Sequence, residues 1–434
     1  MDTEAAARTR RTARWQLAAV SAVLLLAVTA FAGRMALFAV DTMALTLPPT
    51  PDLATLPMSQ VVVDRDGKLL RPFTTGDGRW RLPVALEEVD PKFIEMLIAY
   101  EDGRFHDHHG IDWRAMTRAA GQYLLNRRIV SGGSTLTMQV ARLIEGEPTR
   151  DLAGKIRQMV HAVALEAQLT KDQILGLYLA LAPYGGNIEG IRAATLAYFG
   201  KEPGRLTTAE AALLVALPQS PEARRPDRFA DAARAARDRV LDRLVLAGVI
   251  DAEEAEAAKR ERVPTARRDF PLLAPHLAAE AVAMLPGERV IPLTIDRTLQ
   301  SSLERLAGAR AAALDPNLSV AIVVADHRSG DILASVGSAG LLAEAREGFV
   351  DMTMALRSPG STLKPLIYGL GFELGLAHPE SLIEDRPTAF GAYVPENFDG
   401  FHRGTVTIRE ALTQSLNSPA VIVLDAVGPA RLVS

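Results

Sequence analysis

Glu101-Asp102-Gly103-Arg104-Phe105-His106-Asp107-His108-His109-Gly110 packs two adjacent carboxylates, an arginine, an aromatic ring and three histidines into ten residues. Buried charges must be paired or they destabilise the fold, so such density points to chemistry as well as folding. Just upstream, Phe93, Met96, Leu97 and Tyr100 recur at i, i+3, i+4 and i+7. That spacing predicts an amphipathic helix from Pro91 that ends at Glu101. A carboxylate at a helix C-terminus gets no help from the helix dipole, and partial burial raises its pKa toward the range a base needs. Glu101 is therefore the candidate catalytic base. His106, His108 and His109 have no second ligand cluster to work with, so they are not expected to hold a metal.

Downstream, Asp112 to Arg128 continues in a helical pattern with Trp113, Met116, Tyr123, Leu124 and Leu125, then Arg127-Arg128. This order suits an interfacial segment touching anionic headgroups, and it equally suits an ordinary amphipathic core helix. Next comes Ser131-Gly132-Gly133-Ser134-Thr135 before Leu136-Thr137-Met138-Gln139-Val140-Ala141-Arg142. The glycines allow a tight turn, and Ser134 or Thr135 can cap the following helix, whose free N–H groups attract phosphate. Arg142, Arg150, Lys155 and Arg157 follow closely. Together they fit a phosphate-bearing ligand, with a solvated basic face as the alternative.

The pattern then predicts helices over 158–178, 191–199, from Thr208 to the prolines at 218 and 221, and over 227–249. Val61-Val62-Val63 with Asp64-Arg65-Asp66-Gly67 reads as a strand and turn leading to a second strand. Residues 251–290 read as a linker with a helix, and Leu293-Thr294-Ile295-Asp296 as a strand opening a second domain. Val320 to Asp326 and Ile332 to Val336 read as a hairpin around His327-Arg328-Ser329-Gly330.

The chain has 434 residues, 48% hydrophobic and 23% charged, so it can bury a large core over two or three domains. A net charge of -4 gives no support for nucleic-acid binding, and the absence of cysteine excludes disulfides and thiolate chemistry. Arg8, Arg10, Arg11 and Arg14 precede a charge-free run from Trp15 to Gly33. As a helix this run spans roughly 28 Å, one hydrocarbon core, with the basic flank cytoplasmic and the rest outside. Ala30-Phe31-Ala32 offers a signal-peptidase site, but the apolar run is longer than a signal core and reads as an uncleaved anchor.

Far downstream lies Ser358-Pro359-Gly360-Ser361-Thr362-Leu363-Lys364-Pro365. Ser-x-x-Lys at a helix start puts Ser361 and Lys364 on one face, where Lys364 can activate the Ser361 hydroxyl for attack on an acyl donor. Ser415-Leu416-Asn417 supplies a Ser-x-Asn element.

The opening decapeptide with Gly132-Gly133-Ser134-Thr135, Lys171 to Leu179 and Ala197-Tyr198-Phe199-Gly200-Lys201 resembles the glycosyltransferase domain of bifunctional (class A) penicillin-binding proteins. Gly154 to Gln158, Ala182 to Gly186 and Leu217-Pro218-Gln219 narrow the resemblance to one branch. Ser361-Lys364, Asn397-Phe398, Gly404-Thr405-Val406 and Ser415-Asn417 resemble their transpeptidase domain.

The resemblance implies a multidomain chain: a cytoplasmic tail (1–14), a transmembrane helix (15–40), a linker (41–59), a mainly α, lysozyme-like glycosyltransferase domain (60–245), a second linker (246–309) and an incomplete α/β (α+β) transpeptidase domain (310–434). It implies a single-pass inner-membrane protein with extracytoplasmic catalytic domains. There lipid II is polymerised into a nascent glycan strand with loss of undecaprenyl pyrophosphate. Glu101 matches the family's base. Arg118, Ser134, Thr135, Gln139, Arg142, Arg150, Lys155 and Gln158 match the polar and cationic positions that bind substrate and pyrophosphate. No cofactor is required by these residues, although Mg or Mn assists some members. In the second domain Ser361 would attack a D-Ala-D-Ala stem peptide and be acylated by β-lactams, with Ser415 relaying a proton and Asn417 holding substrate. Other cell-wall synthesis proteins are the expected partners.

Three positions depart from the family pattern: Gln158 replaces a second Glu, Met138 the first of a paired Gln, and Ala180 the usual Asn. Gln158 carries no charge, which weakens the case for a metal there. No Lys-Thr-Gly or Lys-Ser-Gly strand precedes Ser434, so no competent transpeptidation and poor folding beyond about 310 are expected. The alternatives are a non-catalytic cell-wall scaffold and a lysozyme-like glycan hydrolase.

Overall fold

The computed structural model describes residues 44–51, 53–118, 133–146 and 152–433, together with 34, 35, 38 and 42. The run from Trp15 to Gly33, Arg150, and Ser131-Gly132 lie outside these. Among the described residues no helix is long and apolar enough to cross a membrane. The chain divides into two compact units, Met1–Thr353 and Met354–Ser434.

In the first unit β1 (Val61–Val63) pairs antiparallel with β2 (Leu69–Pro72), as the sequence predicts. Asp64 closes their turn, its Oδ1 accepting from the N–H groups of Asp66 and Lys68 at 2.9 and 2.7 Å. A second sheet joins β3 (Trp80–Arg81) in parallel to β5 (Ile188–Glu189), which also pairs antiparallel with β4 (Pro183–Gly185). The first sheet is completed by β6 (Val290–Pro292), parallel to β1 with Val62 opposite Ile291. This corrects the expected strand at 293–296. Asp296 instead caps a helix, its Oδ1 accepting from the Leu299 N–H at 2.9 Å, and a capping side chain ends extended structure.

The helices form the bulk of this unit. Helix α1 (Pro91–Glu101) starts at an Asp90 cap with Pro91 in its first turn, and buries Phe93, Met96 and Leu97. Helix α2 (Leu136–Glu145) packs between α3 (Leu152–Glu166) and α4 (Lys171–Leu181). A continuous helix over 158–178 was the expectation. The chain breaks before Lys171 because Thr170 and Gln173 form a capping box, with Gln173 Oε1 accepting from the Thr170 N–H at 2.8 Å. Helix α5 (Ile191–Phe199) ends at Gly200, with φ at 71°, as the Gly there suggests. Helix α6 (Thr208–Ala216) buries every position from Ala211 to Ala216, so it is apolar all round and becomes the central rod. Helix α1 and helix α7 (Ala230–Leu246) pack on it. Three more helices follow: α8 (Ala252–Arg260), α9 (Pro275–Met284) and α10 (Arg297–Leu314). The predicted hairpin forms as β7 (Ile322–Ala325) and β8 (Ile332–Val336).

The second unit folds around α11 (Lys364–Glu373), α12 (Ile408–Thr413), α13 (Asn417–Val427) and α14 (Pro429–Val433), with β9 (Leu382–Asp385) antiparallel to β10 (Gly404–Thr407). Against the expectation of poor folding, it has its own core of Ile367, Tyr368, Val406, Ile408, Ala411, Leu416, Ala420, Val423 and Val427.

Candidate active site

Helix α1 delivers Glu101 half-buried at its last turn. Both carboxylate oxygens are held by amides. Gln139 Nε2, from α2, donates to Oε2 at 2.7 Å, and Gln219 Nε2 donates to Oε1 at 2.6 Å. Burial pushes the Glu101 carboxyl above the ordinary glutamate range. The two amide hydrogen bonds and the charges of Arg142 and Arg243 oppose that rise without cancelling it.

Asp102 has a different task. It is buried, and its Oδ2 accepts from the Leu136 N–H at 2.9 Å, fixing the start of α2 against the end of α1. His108 Nε2 lies 3.0 Å from both Asp102 oxygens. The His108 carbonyl accepts from Lys171 Nζ at 2.7 Å, and that ammonium sits 4.5 Å from the Phe105 ring centroid. Arg104 pairs with Asp112, whose Oδ1 also accepts from the Ala115 N–H at 2.8 Å. The dense decapeptide is thus largely a self-satisfied loop, with Glu101 held separately by the two amides.

This loop turns at Gly110, with φ at 86°. A Cβ there would lie 2.7 Å from the Ala162 carbonyl oxygen. Gly110→Ala is expected to destabilise the first unit by roughly 2–4 kcal/mol, from left-handed strain plus a backbone clash. Thermal denaturation of the variant checks this, and an unchanged midpoint would refute it.

The cations come from α2 and α3. Lys155 Nζ donates to Ser134 Oγ at 2.7 Å and to Gln158 Oε1 at 2.9 Å. Burial, then the charge of Arg142, hold this ammonium below the ordinary lysine range. Gln158 is itself buried, and its Nε2 donates to the Met138 carbonyl at 2.5 Å. Each end of its amide thus has a protein partner, and through its oxygen it supports Lys155. With its oxygen facing an ammonium, Gln158 does not fit a metal ion. Among the described residues no trio of His, Asp or Glu is arranged to hold one. Thr135 is also buried, capping α2 by accepting from the Met138 N–H at 3.1 Å while donating to the Gly110 carbonyl at 2.6 Å. Arg118 is exposed on the helical stretch 113–118, and no hydrogen bond among the described residues joins it to Glu101 or Lys155.

A cleft of about 740 Å³ opens beside these groups, lined by Gln219, Arg142, Arg79 and Arg81 among others. Glu189 on β5 is buried between Arg79 and Arg81, with Arg81 Nε donating at 2.9 Å. Gln219, Arg224 and Arg243 were not singled out from the sequence as site residues. Leu217-Pro218-Gln219 carried the only signal.

In the second unit Ser361 is exposed on a short 3-10 turn, Gly360–Leu363, and Lys364 begins α11. Lys364 is buried. Its Nζ donates to the Ser415 carbonyl at 2.5 Å, Ser415 Oγ at 3.1 Å and Asn417 Oδ1 at 2.6 Å. Burial lowers its pKa. Ser415 adopts a φ of 54°, a strained conformation that aims its carbonyl and hydroxyl at one ammonium. Behind them, fully buried Asp385 accepts from Asn397 Nδ2 at 2.9 Å, and Asn397 Oδ1 accepts from the Asn417 N–H at 2.7 Å. Lys364, Ser415 and Asn417 therefore converge, with Asp385 as an unforeseen support, while no side-chain hydrogen bond among the described residues joins Ser361 to them.

A family model described as transglycosylase matches residues 66–245, and one described as penicillin-binding protein transpeptidase domain matches residues 320–434. Penicillin-binding protein 1C of Escherichia coli (strain K12) is 46% identical over 87% of this chain and 49% of its own length. Penicillin-binding protein 1F of Bacillus subtilis (strain 168) is 32% identical over 85% of this chain and 53% of its own. The chain spans about half the length of these curated relatives.

Proposed function

The chain belongs to the class A penicillin-binding proteins, and from that premise we propose that its first catalytic domain polymerises lipid II by glycosyl transfer. Glu101 takes the proton from the acceptor's 4-hydroxyl as that oxygen attacks the anomeric carbon of the growing strand. The configuration inverts, and undecaprenyl pyrophosphate leaves toward Lys155 and Arg142. The observation that carries this reading is a half-buried carboxylate, fixed by two amides, with Arg142 close enough for its charge to act on both Glu101 and Lys155; among the described residues neither Arg142 nor Lys155 has a salt-bridge partner. Pyrophosphate departure needs such cations, whereas a hydrolase of the retaining or inverting kind needs a second working carboxylate. Asp102, the nearest in sequence, has both oxygens committed to His108 and Leu136.

The run Trp15–Gly33 serves as an anchor in the cytoplasmic membrane, keeping the site on its extracytoplasmic side and close to its lipid-linked substrate. The second unit carries the D-Ala-D-Ala transpeptidase nucleophile, Ser361, with Lys364 as its base; β-lactams would acylate the same hydroxyl.

The test is polymerisation of labelled lipid II by the full chain and by Glu101→Gln. Polymer from the parent alone supports the reading, and polymer from neither refutes it. The pH profile is a second check. Activity needs Glu101 ionised and Lys155 protonated. The first is pushed up by burial and the second down, so both limbs move inward. A bell narrower than that of an ordinary Glu–Lys pair is expected in kcat/KM. Its alkaline limb should move to higher pH in kcat, because bound pyrophosphate favours the ammonium.

A further inference from the structure

Glu101 is held on its two sides by amides that differ in one respect. Gln219 Oε1 accepts from Arg224 Nη1 at 3.0 Å, and the same nitrogen donates to the Ala216 carbonyl, at the end of α6, at 2.7 Å. A guanidinium has only donors, so it can face only the oxygen of the amide. The Gln219 NH2 group is thereby forced toward Glu101 Oε1. Gln139 Oε1 has no hydrogen-bond partner among the described residues, so its amide is free to invert.

We propose that Gln219, pinned by Arg224, is a positioning residue for Glu101 that keeps Oε1 as a fixed acceptor and leaves Oε2 to receive the proton. The inference rests on the glycosyltransferase reading. During transfer the acceptor O–H bond breaks and its oxygen bonds to the anomeric carbon. The bond from that carbon to the pyrophosphate oxygen breaks, with its electron pair leaving on the pyrophosphate. The proton ends on Glu101. A protonated carboxyl oxygen is a donor and a poor acceptor, which disfavours Oε1 opposite a fixed N–H. At Oε2, Gln139 can turn its carbonyl to accept the new O–H. Among the described residues, the other groups that interact electrostatically with Glu101 are Arg142 on α2, Arg243 on α7 and the buried Tyr178 hydroxyl on α4, besides Arg224 itself. None of these three is hydrogen-bonded to the carboxylate, so the amides alone fix which oxygen is which.

The experiment is the pH–rate profile of lipid II polymerisation by the full chain, compared with Gln219→Leu and Arg224→Met. Losing a donor to the anion favours the neutral acid. The acid limb should therefore move to higher pH in both variants, with roughly tenfold or greater loss below the limb and a much smaller loss on the plateau. Arg224→Met keeps Gln219 in place and should show the smaller shift of the same sign. A uniform loss at every pH, with the limb unmoved, would overturn the proposal and leave Gln219 as a packing residue. A parent chain that makes no polymer at any pH would instead overturn the glycosyltransferase reading beneath it.

Discussion

Glu101→Gln is expected to lower the rate of lipid II polymerisation by about 10²–10⁴-fold, the usual contribution of a positioned general base. The substitution suits the site because it is isosteric. Gln219 still presents its N–H to one end of the new amide, held there by Arg224. Gln139 can invert to accept from the other end, so the end of α1 keeps its hydrogen bonds. The loss should therefore appear in kcat at all pH values, with the thermal midpoint close to that of the parent. Substrate binding should change little, since the cations proposed to meet the pyrophosphate, Arg142 and Lys155, lie on α2 and α3. A variant retaining more than a tenth of the parent rate would remove Glu101 from the role of base.

Lys155→Met is the second large effect, expected to cost about 10²–10³-fold. Charge builds on the leaving pyrophosphate only as the glycosidic oxygen departs, so a preorganised ammonium helps the transition state more than the bound substrate. The fall should lie mainly in kcat. Ser134 and Gln158 already occupy two of the lysine's donors at 2.7 and 2.9 Å, which fixes its direction before substrate arrives. Lys155→Arg keeps the charge but not that geometry, and should recover only part of the rate. Lys155→Met should also remove the alkaline limb assigned to Lys155, and a limb left unchanged would show that another group sets it. Rates from single-turnover assays with labelled lipid II decide both points.

The sequence carried those parts of the site that depend on neighbours along the chain. The period through Phe93, Met96, Leu97 and Tyr100 placed Glu101 at a helix end, and Ser134 or Thr135 was a visible cap, of which Thr135 is the one used. Ile191–Phe199 was bounded by its glycines, and Ser361 and Lys364 were joined by spacing. What stayed hidden depends on distant segments. Gln219 reaches Glu101 only because α6 carries it across α1, and no local pattern marks an amide as a clamp. Asp102 is likewise tied to a distant segment, its Oδ2 accepting from the Leu136 N–H. The helix break before Lys171 was present as Thr170-x-x-Gln173, a short signal overridden by the apolar period on either side. The strand at 290–292 lay three residues from the predicted one, because Ile295 is apolar enough to extend a strand while Asp296 is already a cap.

The parallel pairing of β1 with β6 bears on the order in which the chain can fold. Val62 and Ile291 are more than two hundred residues apart, yet they stand opposite one another in a three-stranded sheet. Closing so long a loop is entropically costly only once, but it has to await the arrival of its far end. A chain threaded outward from its N-terminus therefore displays the edge of β1 until the segment after α9 follows. The helices around α6 can collapse earlier on their own contacts. The catalytic helices would then assemble first, and the sheet that ties the linker to them would close last, like a clasp fastened after the garment is on.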